Sequence, residues 1–483
     1  MHTELIVRPN PVAEFETFGR AVAISGNVAI VGADNDGGPP GRAYIFTTDA
    51  TGGTQQAMLT PSQSAGFDGF GRAVAIDGNY AVVGAPGQYE AYVFAWNGSS
   101  WNEQARLTAS DPSTRVGFGE AVGISGNYAI IGAGMAAYIF RRTGSTWAEE
   151  AKLTPPPANI SGGFGRAVAL QGDCAIVGAL WGVDSVVAQG AAYIFRLNGS
   201  SWDLEATLAP PDPIARDHFG ESVAIDGDYI VVGAPGVTSS NRSDVGGAYV
   251  FQRIGASWQF QGKLEPSNTH SVNNFGQAVA ISGDYVVVGD PAQHLPAPGT
   301  GAAYIYRRSG TNWNLLPPRI VPSDAGTDFL DWHAYFGHTV AVSDAGVLVG
   351  APNNTDTLRK QGAAYFYPFP IDLSAMIGVP LDWAFFAEIL FGLIGGGPGV
   401  IVRPGGPRPI DPEPFAEWNR LPSSKRNLIM GLALTELASF IEDKDASQQV
   451  KKAGQDLTRK AAARLTRVSL PDAKREEKKG SVN

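Results

Sequence analysis

The sequence predicts an all-β fold, a closed ring of seven four-stranded blades, followed by a small α-helical C-terminal region. Three observations carry that prediction. Phe-Gly occurs seven times, at Phe18, Phe70, Phe118, Phe164, Phe219, Phe275 and Phe336. Fourteen residues after each Phe stands a Gly (Gly32, Gly84, Gly132, Gly178, Gly233, Gly289, Gly350) that opens Gly-Ala or a close variant. The seventh unit lacks its last strand, and a matching segment stands near the N-terminus. A repeat of about 50 residues with a fixed internal register marks an array whose units share one scaffold.

Each unit reads as four short strands. The first follows Phe-Gly and mixes small with apolar residues, as in Ala21-Val22-Ala23-Ile24 and Ala278-Val279-Ala280-Ile281. Gly-Asn or Gly-Asp then marks a tight turn, because a two-residue hairpin requires positive φ; Gly26-Asn27, Gly78-Asn79 and Gly227-Asp228 are examples. The second strand, such as Ile230-Val231-Val232, is apolar throughout. That pattern implies burial on both faces. The third strand is marked by Tyr44, Tyr92, Tyr138, Tyr193, Tyr249, Tyr304 and Tyr365. The fourth begins near Trp101, Trp147, Trp202, Trp258 or Trp313 and ends at Leu59, Leu107, Leu153, Leu208 or Leu264. The constant position of these Trp residues reads as structural packing.

Ring closure follows from register. Each terminal Leu stands eleven residues before the next Phe-Gly, and Val7 stands eleven before Phe18. Val7-Arg8-Pro9 therefore matches Leu153-Thr154-Pro155 and is expected to complete the seventh blade beside Tyr365, removing the free sheet edges of a linear array.

Composition narrows the function classes. Residues 372–483 hold 16 Lys+Arg against 14 Asp+Glu, leaving 20 against 32 and a balance of −12 for residues 1–371. An acidic repeat region argues against nucleic acid as the ligand. The single cysteine, Cys174, excludes an intrachain disulfide and takes a strand position held elsewhere by Tyr80, Tyr128, Tyr229 and Tyr285. It reads as a buried thiol. The N-terminal residues carry no basic-then-apolar leader. The chain is thus expected to remain cytoplasmic, to leave by a non-classical route, or to be a mature form.

Phe-Gly followed by Gly-Ala-Pro, intact at Gly84-Ala85-Pro86, Gly233-Ala234-Pro235 and Gly350-Ala351-Pro352, resembles the FG-GAP repeat of integrin α-subunit propellers and of many bacterial repeat proteins. The resemblance covers roughly residues 4–368. It implies a seven-bladed β-propeller and an extracellular or surface role, on a scaffold that serves adhesion, lectin and assembly functions alike. One departure stands out. Calcium-binding repeats of the integrin type carry an acidic loop between Phe-Gly and Gly-Ala-Pro, whereas here two strands and a tight turn fill that interval. Calcium needs six to eight oxygen ligands, so those sites are expected to be absent. Asp34, Asn35 and Asp36 form the one acidic cluster of suggestive spacing and are the weak metal candidate.

Loop lengths separate two faces. The Gly-Ala to Tyr distance runs 12, 8, 6, 15, 16, 15 and 15 residues, while the other intra-blade turns are nearly constant. Variable loops on a rigid scaffold are where binding resides. Ile320 to Phe336 is also lengthened, to sixteen residues, and contains Asp328, Asp331, Trp332, His333 and Tyr335. Trp181 and Asp184 lie in the fourth variable loop and His294 in the sixth. Aromatic faces beside carboxylates suit a glycan or a protein hot spot; the plainer reading packs these residues on one another across the rim. Catalysis has little support, because the six His residues show no metal-ligand spacing and no Gly-x-Ser-x-Gly elbow or phosphate loop occurs. A carboxylate pair drawn from Asp328 or Asp331 with Asp184 is the remaining catalytic option.

The propeller is expected over residues 1–369 and a connector with a short helix over 370–414. Helices are expected over 415–470 and a charged tail over 471–483. The apolar run 373–402 is interrupted by Pro380, Asp382, Glu388 and Pro398, which disfavours a membrane span. Val450, Ala453, Leu457, Ala461 and Leu465 give the second helix an apolar stripe. Residues 373–468 therefore offer a surface for self-association or assembly. The leading expectation is a non-catalytic binding or adhesion protein that presents a propeller loop face to a glycan or protein. The alternative is a structural subunit of a multiprotein assembly docked through its C-terminal helices.

Overall fold

A computed structural model describes residues 5–369, apart from 11–15, 36–39, 50–51, 64–65, 112–115, 157–161, 181–189, 213–216, 237–244, 267–273, 293–299, 323–333 and 355–360. The expected connector, helices and tail lie outside the described residues. Residues 2–369 form one compact unit. Among the described residues, every regular element is a strand, and the strands form seven four-stranded antiparallel sheets. The seventh sheet joins Thr339–Ser343, Gly346–Ala351 and Ala363–Pro368 to the N-terminal strand Leu5–Val7.

That closure has the expected register. Val7 pairs with Ala364, as Leu153 pairs with Ala137 and Leu208 with Ala192. First strands of successive blades contact one another around the ring, Ala21–Ser25 meeting Thr339–Ser343 at the closure. They form the inner wall.

The fourteen-residue spacing has a backbone cause. The N–H of the Gly in Phe-Gly donates to the carbonyl of the Gly in Gly-Ala in all seven blades, from Gly19 to Gly32 at 3.0 Å through Gly337 to Gly350 at 3.1 Å. Each Phe ring is fully buried and meets two third-strand aromatics of its own blade, edge-on or tilted, as Phe70 meets Tyr92 edge-on at 5.6 Å and Phe94 at 6.1 Å. Such pairs add about 0.5–1.5 kcal/mol each beyond area burial.

Both glycines are dictated by neighbouring blades. A Cβ on Gly132 would stand 1.9 Å from the Gly165 carbonyl oxygen in the following blade. Gly165, with φ +91°, sits equally tightly against the carbonyl of Ala136. Blades meet backbone to backbone here, so no side chain fits.

The repeated Trp residues staple the outer rim. Trp147 packs edge-on against Tyr80 of the preceding blade, and its indole N–H donates to Gln104 at 2.9 Å. Trp202 does the same with Tyr128 and Glu150. Trp258 donates to Glu205 and packs in the cluster containing Cys174, whose thiol fills the Tyr position. Burial pushes that thiol up to about 11. The seventh blade has no such Trp, and Phe369 instead stacks on Tyr285 at 4.4 Å.

Candidate functional site

The two faces of the ring differ in kind. On one, the end of each third strand is tied to the turn between the first two strands, as in Arg142 N–H to Asn127 O at 2.7 Å and Arg308 N–H to Asp284 O at 2.8 Å. Successive turns are linked around the axis as well. Gly78 N–H donates to Ser25, Gly126 N–H to Asp77 and Gly172 N–H to Ser125. This face is uniform and self-satisfied. The opposite face carries the Phe-Gly turns and the loops of variable length.

On that variable face, each Phe-Gly turn is closed by the N–H of the residue after Gly, as in Arg72 N–H to Gly69 O at 3.1 Å and Glu221 N–H to His218 O at 3.1 Å. The residues so placed are Arg20, Arg72, Glu120, Arg166, Glu221, Gln277 and His338. They head the inner strands and form a polar collar around the axis, varying among Arg, Glu, Gln and His within a constant frame. Arg166 lies between Glu120 at 3.6 Å and Glu221 at 3.8 Å, joining three blades. Arg20 approaches Asp34 at 3.4 Å, and Arg72 approaches the same oxygen at 3.3 Å. Arg20 also donates to His338 Nε2 at 3.2 Å across the ring closure. Burial, reinforced by the charges of Arg20 and Arg72, pushes His338 down to about 4, so its ring is a neutral acceptor at pH 7. Burial raises the Glu221 carboxyl, opposed by Arg166 and His218.

Asp290 replaces the Ala that ends the second strand in the other six blades. It is fully buried. One carboxylate oxygen accepts the Asn274 N–H at 3.1 Å, and the other has no hydrogen-bond partner among the described residues. Burial pushes this carboxyl up to about 7, against the backbone bond from Asn274 and the charge of Arg319. Asn274 in turn donates to Gln277 of the collar at 3.3 Å.

Of the residues expected to bind ligand, Trp181, Asp184, His294, Asp331, Trp332 and His333 lie outside the described residues. Tyr335 is described. It precedes Phe336 with φ +54°, the left-handed position that Gly69, Gly117 and Gly163 take in other blades, and its carbonyl accepts His338 N–H at 3.0 Å. Asp36 of the metal candidate is likewise outside. Asp34 accepts the Thr17 hydroxyl at 2.6 Å besides facing the two guanidiniums, and Asn35 N–H donates to Thr17 Oγ1 at 3.1 Å. Among the described residues, no group of three or more His, Cys, Asp or Glu side chains converges as a metal site. No helix among them is long and apolar enough to cross a membrane.

Sequence reasoning missed the collar, although its signal was present: the residue after each Phe-Gly is polar in all seven units. It missed a second feature too. Where blades 1, 4, 5, 6 and 7 enter the third strand through Gly41, Gly190, Gly246, Gly301 and Gly362, blade 2 has Tyr89 and blade 3 has Met135. Both are exposed, as are Phe67 and Val116 in the adjoining Phe-Gly connections.

The matching of a repeat-family model agrees with this architecture. The family model described as FG-GAP repeat matches seven segments, residues 8–46, 54–94, 101–144, 147–195, 202–251, 258–306 and 319–367. No curated protein matches the chain. Among solved structures it is similar to U3-55K, with 10% identity over 76% of this chain and 98% of that one and a TM-score of 0.48. It is also similar to a protein from Lactobacillus plantarum, at 13% identity over 62% and 84% of the two chains with a TM-score of 0.42. A third is a putative 6-phosphogluconolactonase from Bacteroides uniformis, at 14% identity over 63% and 85% with a TM-score of 0.44. Each matched segment starts at or near a fourth strand and ends in or just after the third strand of the next blade, the phase that N-terminal closure requires. With seven such segments spanning most of its length, the chain belongs to the FG-GAP repeat family.

Proposed function

We propose that this protein is a non-catalytic binding or adhesion protein that presents the Phe-Gly face of its propeller to a glycan or protein ligand. The observation that carries the reading is the asymmetry of the two faces. Constant turns and ladder-like hydrogen bonds occupy one face, whereas the other combines loops of unequal length with a collar of mixed cationic, anionic and neutral residues. Binding is favoured over chemistry because ionisable groups of the collar pair with one another, Arg166 with Glu120 and Glu221, and Asp34 with Arg20 and Arg72. Fixed, mutually neutralising charges provide complementarity and orientation rather than a poised acid or base.

The test applies the full-length chain to an immobilised glycan array and to a displayed random-peptide library. Trp181→Ala with Trp332→Ala, in the fourth variable loop and the lengthened connection before Phe336, is expected to weaken any binding at least tenfold. Ser145→Glu with Thr311→Glu, at exposed turns of the constant face, is expected to leave it unchanged. The reverse pattern overturns the reading.

A further inference from the structure

Four exposed apolar residues form a strip over the variable face of blades 2 and 3. Phe67 is 72% exposed, Val116 65%, Met135 59% and Tyr89 36%. Their backbones follow one another across the surface. The Phe67 carbonyl stands 2.2 Å from where a Gly87 Cβ would be, placing Phe67 on the tight turn that ends at Tyr89. The next carbonyl along, that of Glu90, stands 2.3 Å from the would-be Cβ of Gly119, so this turn abuts the Phe-Gly turn of blade 3, which begins at Val116. Val116 O accepts Gly134 N–H at 2.8 Å, setting Met135 beside it. The strip exists because these blades have the shortest connections between second and third strands.

Two of its members are held at a cost. Phe67 has φ +67° and Tyr89 φ +59°, the left-handed region that glycine occupies freely and that is unusual for aromatic residues. At Tyr89 five other blades use Gly. Burial does not compensate Phe67, since most of its ring faces solvent. Phe67, an aromatic residue both strained and 72% exposed, points to a retained function.

Resting on the proposed binding role of this face, we propose that the strip Phe67–Tyr89–Val116–Met135 docks a polypeptide segment whose apolar side chains cover it and whose flanking carboxylate meets Arg72. Composition favours a polypeptide over a glycan. Phe, Tyr, Met and Arg are the residues enriched at protein interfaces, and a sugar would need several planar hydrogen-bonding groups where only Tyr89 brings a polar atom. Charge selects an acidic flank. Arg72, five residues beyond Phe67 in the same connection, has 36% of its side chain exposed and contacts Asp34 through one nitrogen at 3.3 Å. Among the described residues the rest of its donor fork makes no further hydrogen bond and can meet a carboxylate.

The experiment selects a displayed random-peptide library on the full-length chain and measures individual synthetic peptides by titration. Winning peptides are expected to carry spaced apolar residues with an Asp or Glu nearby. Phe67→Ser with Met135→Ser is expected to weaken them at least tenfold, and Arg72→Gln about threefold or more with loss of salt dependence. Phe67→Gly and Tyr89→Gly supply the control for folding. Both are expected to hold or raise the melting temperature while weakening the peptides, because glycine relieves the left-handed backbone; a lowered melting temperature at both positions would assign these residues to packing and overturn the proposal. Peptides that ignore the strip variants but need Trp181 and Trp332 overturn the strip and leave the loop-face reading standing. Peptides that need neither overturn both. A wild-type dimer in light scattering that the strip variant converts to monomer makes the occupant a second copy and also overturns the proposal.

Discussion

Replacing Val7 with Ala tests ring closure by a single side chain near the N-terminus. Residues this close to an end are ordinarily frayed and tolerant of change. Here Val7 is 2% exposed and fills the position held in other blades by Leu59, Leu107, Leu153, Leu208, Leu264 and Ile320. Its Cγ2 stands 3.0 Å from where a Cβ on Gly53 would lie, so it packs into the first blade as well as its own. Removing two methyl groups forfeits about 1.6 kcal/mol of transfer free energy at ~0.8 kcal/mol each. The cavity left behind adds about 1 kcal/mol, giving a loss of about 2–3 kcal/mol. Ile6, which pairs with Tyr365 but is 40% exposed, provides the comparison, with an expected loss of about 1–1.5 kcal/mol on truncation to Ala even though three carbons rather than two are removed. Urea unfolding followed by Trp fluorescence reads both variants against wild type. A Val7→Ala change within about 0.5 kcal/mol of wild type, the size expected of an ordinary surface substitution, would mean that the N-terminal strand does not close the ring.

Two further outcomes follow from the blade contacts and the buried carboxylate. Gly132→Ala drives a methyl into the Gly165 carbonyl, backbone against backbone, and is expected to destabilise by about 3 kcal/mol or more, whereas Gly144→Ala, left-handed but with open space around it, loses about 1 kcal/mol in the same unfolding assay. Asp290 has a folded-state value near 7, well above the ordinary range of about 4. The native state therefore binds the extra proton between those values, and stability falls as pH rises from about 4 to 7. Asp290→Ala, which restores the residue of the other six blades, is expected to be more stable than wild type at pH 8 and to lose that slope; equal stability of the two proteins at pH 8 would refute it. His338 works in the opposite sense. Its depressed value means that the unfolded state binds the proton, so its contribution is lost as pH falls from about 6.5 to 4, which is why the Asp290 slope must be read as a difference between variants.

The blade was legible because its determinants are local and repeated. A Gly-Asn turn, an apolar second strand and a Tyr-x-Phe third strand each act within about 50 residues, and seven repetitions average out accidents. Even the closing strand could be placed, since register is counted from Phe18 and Val7 obeys the same count as Leu153. The collar was harder to see. Arg20, Arg72, Glu120, Arg166, Glu221, Gln277 and His338 have no one charge or size in common, being three Arg, two Glu, a Gln and a His, so along the chain they resemble ordinary surface variation. The strip was hidden for a related reason. Tyr89 and Met135 read as routine departures from Gly until their exposure and the backbone angle of Tyr89 are known.

What the sequence by itself determined is the unit, its strand order and the number of units, because hydrogen-bond register and side-chain alternation are properties of short stretches of chain. Which residues become neighbours from blade to blade around the ring was decided only by the tertiary structure. Arg20 meets His338, 318 positions away, because seven blades wedged backbone to backbone at paired glycines close the circle. That closure turns a position repeated along the chain into a collar of unlike charges on one face, and so places the chemistry of the site where no local rule could put it.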